Sequence, residues 1–451
     1  MTSAVTDQLV GEIQQLIRER EQEGIRGLAE RVGPAEWADL VPELDPGEIA
    51  VLLQWLPDDE VSQVFEELDP ANAASILRTL SQNQAAAVLE GMDPDDAADV
   101  LENLPESDVD QILVRMKAED AAEIRRLAGY EPDTAGGLMT PEFVAVGANA
   151  TSSQAIAAIR RLVDEAETVS YVYVIDAERH LLGVLSLYRL LLSPADTPVN
   201  ELMAPTTVRV RASADQETAA RLLTDRNLIA IPVVDDEDHL LGIITEDDVA
   251  DVLEAEATED IERLGGSQPL NVPYRLASVP LLVRKRVGWL LLLFVGGAYT
   301  GSVLSEFQDE LTDVVALSFF IPLLIGTGGN IGSQTVTLIV RAMALNEVNL
   351  RDIAWIAWKE IRVGIVLGIA MAAVALGRAE LLGVGTDVGA VVAVAILAIS
   401  LWSAAVAAVL PLILRRLRVD PAVVSAPLIT TLVDGTGLII YFEIARLILR
   451  L

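Results

Sequence analysis

The sequence predicts a multidomain membrane protein: an all-α superhelical solenoid, a duplicated α/β module, a long acidic connecting helix and a five-helix transmembrane domain. Three observations carry this. Residues 44–115 repeat with a period of twelve, residues 138–252 contain a second, longer repeat, and from Val287 onward the chain turns apolar over five long stretches. Charge divides along the same line. The first 270 residues hold 55 acids against 18 bases, and residues 271–451 hold 12 against 14, within a formal net charge of −35. A field that negative repels nucleic acid and draws cations, so nucleic-acid binding is excluded for the first part. The chain has no cysteine, which removes disulfides and thiolate metal sites. Lysine occurs only at Lys117, Lys285 and Lys359 while arginine is plentiful, the composition of a salt-loving organism or a GC-rich genome. A solubilising surface therefore competes with ligand binding as the cause of the acids.

Residues 1–130 are expected to form the solenoid. The units read LDPGEIAVLLQW, LPDDEVSQVFEE, LDPANAASILRT, LSQNQAAAVLEG, MDPDDAADVLEN and LPESDVDQILVR, with evenly spaced anchors at Leu44, Leu56, Leu68, Leu80, Met92, Leu104 and Met116. An apolar pair such as Leu52-Leu53 or Val100-Leu101 follows eight and nine residues after each anchor. Asp-Pro or Pro-Asp/Glu opens most units, with Asp suited to cap a helix and Pro tolerated in its first turn. Each unit then holds one short helix that cannot bury its apolar face alone and must stack on its neighbours. The N-terminal MTSAVTDQLVGEIQQLIRER lacks an apolar core, so it is not a signal peptide, and the first 270 residues are expected in the cytoplasm.

Residues 131–252 hold the duplicated module. LMTPEFVAV pairs with LMAPTTVRV, and YVYVIDAERHLLGVLSLYRLL pairs with IAIPVVDDEDHLLGIITEDDVA. Each half reads as strand, helix, two β-branched strands and a closing helix. The equivalent histidines, His180 and His239, read as solvated turn residues. The halves resemble cystathionine beta-synthase (CBS) domains, which pair into regulatory modules that commonly bind adenine nucleotides or ions. GIITEDD matches that family's ribose-contacting pattern at Thr245 and Asp248, whereas LSLYR in the first half lacks the acid, so the resemblance implies ATP in one half only. DDVADVLEAEATEDIERLGGSQ, residues 247–268, reads as the connecting helix, ended by Gly265 and Gly266.

Residues 269–451 form the expected transmembrane domain, with spans at 287–304, 314–345, 361–383, 388–414 and 422–449. Arg284, Lys285, Arg286, Arg341, Arg351, Lys359, Arg362, Arg415, Arg416 and Arg418 flank one side and Arg378 the other. The excess puts the N-terminus inside and, for five spans, the C-terminus outside.

Two membrane stretches depart from plain hydrophobicity. FFIPLLIGTGGNIGSQTVTLIVRAMA, residues 319–344, places Pro322, several glycines, Asn330 and Gln334 in a span, which is expected to loosen the helix. PLITTLVDGTGLIIYF, residues 427–442, places Asp434 near the middle of the last span, with Thr430 and Thr431 at helical offsets of four and three. An Asp at that depth costs about 2.5–3.5 kcal/mol on insertion scales. No base lies at mid-depth in any span, so either interhelical packing or a cation from outside the chain accounts for it. No zinc motif, phosphate-binding loop or nucleophile elbow occurs, which argues against an enzyme.

IPLLIGTGGNIGSQTVTLIVRA followed by DPAVVSAPLITTLVDGTGLIIYF resembles the signature of the MgtE family of magnesium channels, and EAEATEDIERLGG resembles its plug helix. The resemblance covers almost the whole chain. It implies a homodimer in the plasma (inner) membrane, with one Mg2+ pore on the twofold axis. Asp434, Thr430, Thr431, Gly328, Gly329 and Asn330 are then the selectivity residues. It also implies regulatory magnesium sites that use Asp248, Asp251, Glu256, Glu259, Asp260, Asp215 and Glu217, with Asp93 and Asp96 from the solenoid. Asn227 and Ala426 depart from the family pattern. A channel or carrier for another divalent ion, and a membrane-tethered signalling protein that reads nucleotide charge, are the alternatives.

Overall fold

The computed structural model describes residues 3–163, 166–205, 208–270, 272, 274–275, 277–417, 419–423 and 426–451. Arg418 of the basic flank, Thr206 and Thr207 of the second repeat motif, and Val424 and Ser425 of the last-span motif lie outside the described residues. The chain divides into two compact units, Met1–Glu256 and Ala257–Leu451.

Ten helices open the first unit: α1 (Ser3–Glu19), α2 (Gln22–Ala29), α3 (Pro34–Leu40), α4 (Pro46–Trp55), α5 (Asp58–Glu66), α6 (Pro70–Leu77), α7 (Gln82–Glu90), α8 (Pro94–Glu102), α9 (Glu106–Leu113) and α10 (Ala118–Leu127). From α5 to α10 each helix packs mainly on a helix two places away in the chain, so two twelve-residue units complete one turn of the solenoid. The anchors Leu44, Leu56, Leu68, Met92, Leu104 and Met116 are buried, and so are the apolar pairs from Leu52-Leu53 to Ile112-Leu113. Helices of eight to ten residues are marginal in isolation; stacking of these buried faces stabilises them. Caps fix where each begins. Asp69 accepts from the N–H groups of Ala71 and Asn72, and Ser81 and Gln84 bond reciprocally.

The duplicated module follows as β1 (Phe143–Gly147), α11 (Ser152–Leu162), β2 (Thr168–Ile175), β3 (Leu181–Ser186), α12 (Leu187–Leu192), α13 (Val199–Leu202), β4 (Ala204–Pro205), β5 (Val210–Arg211), α14 (Gln216–Arg226), β6 (Ala230–Val234) and β7 (Leu240–Thr245). The sheets run β1-β2-β3-β4 and β5-β6-β7. The repeat motifs cross over between halves. The Thr140 backbone of LMTP exchanges two bonds with Ile243 of β7, and Ala204 of LMAP pairs with Val184 of β3. This approach needs glycine on both partners, since a Cβ on Gly183 or Gly242 would stand 2.7 Å from the carbonyl oxygen of Ala204 or Thr140.

The histidines are not plain solvated turn residues. Their rings stack at 4.4 Å, and each Nδ1 bonds the aspartate that opens its own turn, Asp176 at 2.9 Å and Asp235 at 2.8 Å. Around them Leu181 N–H donates to Asp238 O and Leu240 N–H to Arg179 O, so the pair seals the junction of the two halves.

The connecting helix is α15 (Glu246–Leu264), whose residues to Glu256 belong to the first unit and the rest to the second. The second unit continues with α16 (Val279–Glu306), α17 (Gln308–Asp313), α18 (Ile321–Ala344), α19 (Ile353–Leu382), α20 (Thr386–Arg416) and α21 (Ala426–Leu449). Among the described residues four stretches are long and apolar enough to cross a membrane, Val279–Glu306, Val315–Ala344, Leu350–Leu382 and Thr386–Arg416, against the five expected. The fifth expected span is the 24-residue α21, which stands outside those four and carries Asp434, Glu443 and Arg446.

Pro322 does not loosen a span, because it sits in the first turn of α18, where a proline leaves no helix bond unmade. The glycines after it are surfaces for close packing. A Cβ on Gly328 would come within 2.6 Å of Ile399 on α20 and 2.8 Å of Val433 on α21, and one on Gly329 within 2.8 Å of Thr430. Small residues of this kind let membrane helices approach closely. Gly329→Val is expected to lower stability by about 1–3 kcal/mol through overpacking, and Asn330→Ala, on the exposed side of α18, to leave it unchanged; thermal melting of the two detergent-purified proteins checks this.

Candidate cation sites

Capping usually fixes an aspartate ahead of a helix; before α8 it does not. Asp93 occupies the cap position, yet its side chain makes no cap bond. Instead it meets Glu167, from the loop ahead of β2, while its N–H donates to Glu66 Oε1 at 3.0 Å. The first turns of α8 add Asp95, Asp96 and Asp99, and the first turn of α15 adds Asp247 and Asp248. Solenoid and duplicated module thus turn acids toward one another, and among the described residues no Lys or Arg pairs with any of them.

The titration of these groups records the crowding. Burial, and then the charges of Asp248, Glu66, Asp93 and Asp99, push the Asp96 carboxyl up to about 8. Glu167 rises to about 8 through burial and the charges of Asp93, Asp247 and Asp248. Glu66 and Asp99 rise to about 7, burial first in both. Asp248 reaches about 6, burial being opposed by the two hydrogen bonds that Thr245 donates. Asp93 and Asp251 also rise, with burial the leading cause. Asp95 is nine-tenths buried and its Oδ1 has no hydrogen-bond partner. Hard oxygen donors with depressed acidity and no base among them fit a divalent cation such as Mg2+ or Ca2+.

A smaller group lies where α14 meets α15. Gln216 donates to Glu256 Oε1 at 3.0 Å, and the charges of Glu217, Asp215 and Asp133, after burial, raise Glu256. Asp215 caps α14 through Thr218 N–H, and Glu217 is paired with Arg221, which leaves Glu256 the freest of the three. Asn227 ends α14 in the left-handed conformation at φ 49°, a role that favours Asn over an acid. In the second unit Glu259 pairs with Arg263, whose other nitrogen meets Asp420 ahead of α21, and Asp260 is also engaged.

Of the expected ribose contacts, Thr245 lines a cavity of about 460 Å³ together with Glu167, Thr168, Ile229, Glu246 and Asp247, and Asp248 lies outside that lining. The Thr245 hydroxyl lies 2.8 Å from Asp248 Oδ2 and 2.5 Å from Asp247 Oδ1, so the aspartate is already engaged. Three carboxylates in that lining repel a bare triphosphate; a nucleotide there needs a cation beside it.

In the second unit Asp434 sits where α21 meets its neighbours, and its Oδ1 is buried without a hydrogen-bond partner. The two threonines flank different helices. Thr430 lies 3.2 Å from Ser333 on α18, and Thr431 packs on Gly296 of α16. Both hydroxyls donate back along α21, to Ala426 O and Pro427 O at 2.9 Å. Their protons are committed, so their oxygens act as acceptors toward anything that approaches. Gly328 and Gly329 serve helix contact, and Asn330 lies on the exposed side of α18.

Residues 321–444 match the family model described as a divalent cation transporter, residues 32–133 the MgtE intracellular N domain, and residues 135–196 and 199–255 the CBS domain. The chain is 46% identical over 328 residues to the magnesium transporter MgtE of Thermus thermophilus, covering 73% of each chain. The chain belongs to the MgtE family. The Enterococcus faecalis MgtE is 36% identical over 334 residues, covering 73% of this chain and 72% of that one. Two solved structures resemble the chain, each at a TM-score of 0.52. The soluble part of a magnesium transporter is 32% identical and covers 56% of this chain and 99% of its own. The cytosolic domain of the Mg2+ channel MgtE in complex with ATP is 37% identical and covers 54% and 99%.

Within this MgtE chain the fold brings Asp93, Asp96 and Asp248 into one cluster, and Asp215, Glu217 and Glu256 into another. Sequence reasoning missed Glu66, Asp95, Asp99, Glu167, Asp247 and Asp133. Asp95 and Asp99 had a signal, since the unit MDPDDAADVLEN holds five acids, a number matched among the six only by LPDDEVSQVFEE; Glu167 had none, because only the fold carries its loop to α8.

Unfolded, these carboxyls titrate near about 4, and folded between about 6 and about 8. Between those limits the folded chain holds more protons, so its stability falls as pH rises when no divalent cation is bound. Melting of the full-length protein in a chelator is expected to drop by at least about 3 °C between about pH 5.5 and about pH 8. Added magnesium restores more at the higher pH; a flat chelator profile counts against the cluster.

Proposed function

We propose that this chain is a magnesium-selective channel that carries Mg2+ into the cell, and that cytoplasmic Mg2+ closes it. The observation that supports this most is Asp434: a carboxylate with an unpartnered buried oxygen, in a helix of a membrane unit where, among the described residues, no base pairs with it. Two such carboxylates across a twofold axis, with threonine oxygens beside them, suit a hard cation that gives up its water reluctantly. The magnesium named for the relatives, from Thermus thermophilus and Enterococcus faecalis, supports that choice of ion. Mn2+ and Co2+ are then weaker competitors for the same oxygens.

The reading includes α21 as a fifth span, a homodimer with its pore on the axis, and a plasma (inner) membrane location with the N-terminal domains cytoplasmic and the C-terminus outside. Its parts are the solenoid (1–130), the CBS pair (131–252), the connecting helix as plug (247–268) and the membrane domain (269–451). Gly328, Gly329, Asn330, Thr430 and Thr431 shape the pore around Asp434. Contacts within the second unit favour a plug role for the end of α15. Arg263 bridges Glu259 to Asp420, Leu270 N–H donates to Glu262 at 2.7 Å, and Gly266, at φ 76°, lies against Trp289 and Pro427.

Regulation follows from charge. Asp93, Asp96, Asp248 and Asp251, with Glu66, Asp95, Asp99, Glu167 and Asp247, repel one another when ionised, and that repulsion favours separation of solenoid from CBS pair. Asp215, Glu217, Glu256, Glu259 and Asp260 supply the further regulatory acids. What a divalent cation supplies at these groups is neutralising charge. A site filled at 100 times its dissociation constant contributes about 2.7 kcal/mol, so two or more sites supply the roughly 5.5 kcal/mol that moves a population from mostly open to mostly closed. ATP modulation rests on the ATP complex of a relative's cytosolic domain and on Thr245 with Asp248, and the acidic cavity makes the magnesium complex its expected form.

Magnesium influx into liposomes tests the pore. Wild type is expected to conduct, and Asp434→Ala to lose selectivity or flux by at least about tenfold; equal conduction by both places the pore elsewhere. Removing residues 1–130 is expected to leave a conducting channel that has lost part of its inhibition by internal magnesium, and unchanged inhibition in patch recordings rejects a sensing role for the solenoid.

A further inference from the structure

One face of α19 sorts its residues by depth. Trp355, Trp358, Lys359, Arg362, Val363 and Val366 recur at helical offsets of three and four, and all six are exposed. The opposite face, with Gly364 and Gly368, is buried against α20. The exposed stripe includes a groove of about 370 Å³ lined by Lys359, Arg362, Val363, Val366 and Leu367. Lys359 Nζ stands 5.1 Å over the Trp355 ring and the Arg362 guanidinium 5.9 Å over that of Trp358, so both cations are held beside indoles at one end. Glu360 lies off this stripe and approaches Thr335 of α18 at 3.4 Å. Among the described residues no carboxylate pairs with Lys359 or Arg362.

We infer that this groove holds one anionic glycerophospholipid, its phosphodiester between Lys359 and Arg362, its headgroup toward the indoles and an acyl chain along Val363, Val366 and Leu367. Charge and polarity both select that occupant. Basic pockets at the cytoplasmic side of membrane helices attract anionic headgroups, and the aliphatic wall begins one turn below the cations. A zwitterionic lipid brings an amine toward two uncompensated cations. Free phosphate leaves the aliphatic wall bare. A second copy of the chain packed symmetrically on this stripe sets Lys359 and Arg362 against their own copies with no acid to relieve them. The inference depends on α19 crossing a membrane and not on which ion passes.

Native mass spectrometry of the full-length protein in neutral detergent tests it, with phosphatidylglycerol and phosphatidylcholine of identical chains as probes. Wild type is expected to bind the first phosphatidylglycerol about tenfold more tightly than phosphatidylcholine. Lys359→Gln with Arg362→Gln is expected to remove that preference, and the charge-keeping Lys359→Arg with Arg362→Lys to retain it. Equal binding of the two lipids by wild type overturns the inference without any variant. So does an unchanged preference in the glutamine variant. Displacement of the lipid by inorganic phosphate assigns a free-anion site instead, and a change of oligomeric mass in the glutamine variant assigns the face to a subunit contact; either outcome overturns the lipid.

Discussion

Repulsion between carboxylates that no base relieves is the constraint on which the first unit depends. The solenoid sets it up. Two twelve-residue units per turn bring α8 back over α6 and α10, and the chain that fills the core behind α8 leaves Asp93, Asp95, Asp96 and Asp99 on the side that meets Glu167, Asp247 and Asp248. The same buried core runs from Ile13 through Leu127 into Ala219, Ile231 and Val249 of the second CBS half. Apolar burial therefore holds together two surfaces whose charges oppose it. An assembly so divided responds to small changes in charge, because removing one side of the opposition shifts the balance by the full strength of the other.

The membrane unit reaches a comparable opposition by different means. Glycines on α18 and α16 bring α21 close, with Gly329 on Thr430, Gly296 on Thr431 and Tyr299 on Gly435. Those contacts need no polar partner, so they hold Asp434 without answering its charge. Further contacts fasten the C-terminal end of α21 instead: Tyr441 donates to Leu317 O at 2.9 Å, and Arg446 meets Glu310 at 2.6 Å. The helix is anchored where its charges are satisfied and left unsatisfied at one residue.

Most of the architecture was legible in sequence because periodicity reports burial directly. The anchors from Leu44 to Met116, Leu80 half-buried and the others buried, and the apolar pairs behind them make the solenoid core, and the CBS strands follow their β-branched runs. Function of a residue within a helix was less legible. Thr430 and Thr431 share a side by spacing, yet each meets a different neighbour, and the glycines after Pro322 pack rather than break. Spacing gives a direction around one helix and says nothing of which helix stands there. The histidines make the same point. Each reads as a turn residue, and only the meeting of two turns from different halves stacks them.

The two causes of so acidic a chain separate by place. Acids that keep a protein soluble in salt belong on its outer face, where hydration is retained; Asp58, Asp59 and Glu106, exposed at the helix starts, answer to that. Asp95 does not, being nine-tenths buried with an unpartnered oxygen. Removing a charge from water yields no solubility and costs stability. Asp96, Asp99 and Glu167 share its surroundings, and their proton affinities are raised by burial first and by one another second. Surface adaptation thus accounts for acids spread along the solenoid and not for those gathered between α8, Glu167 and the start of α15, whose burial with no base among them suits a bound cation.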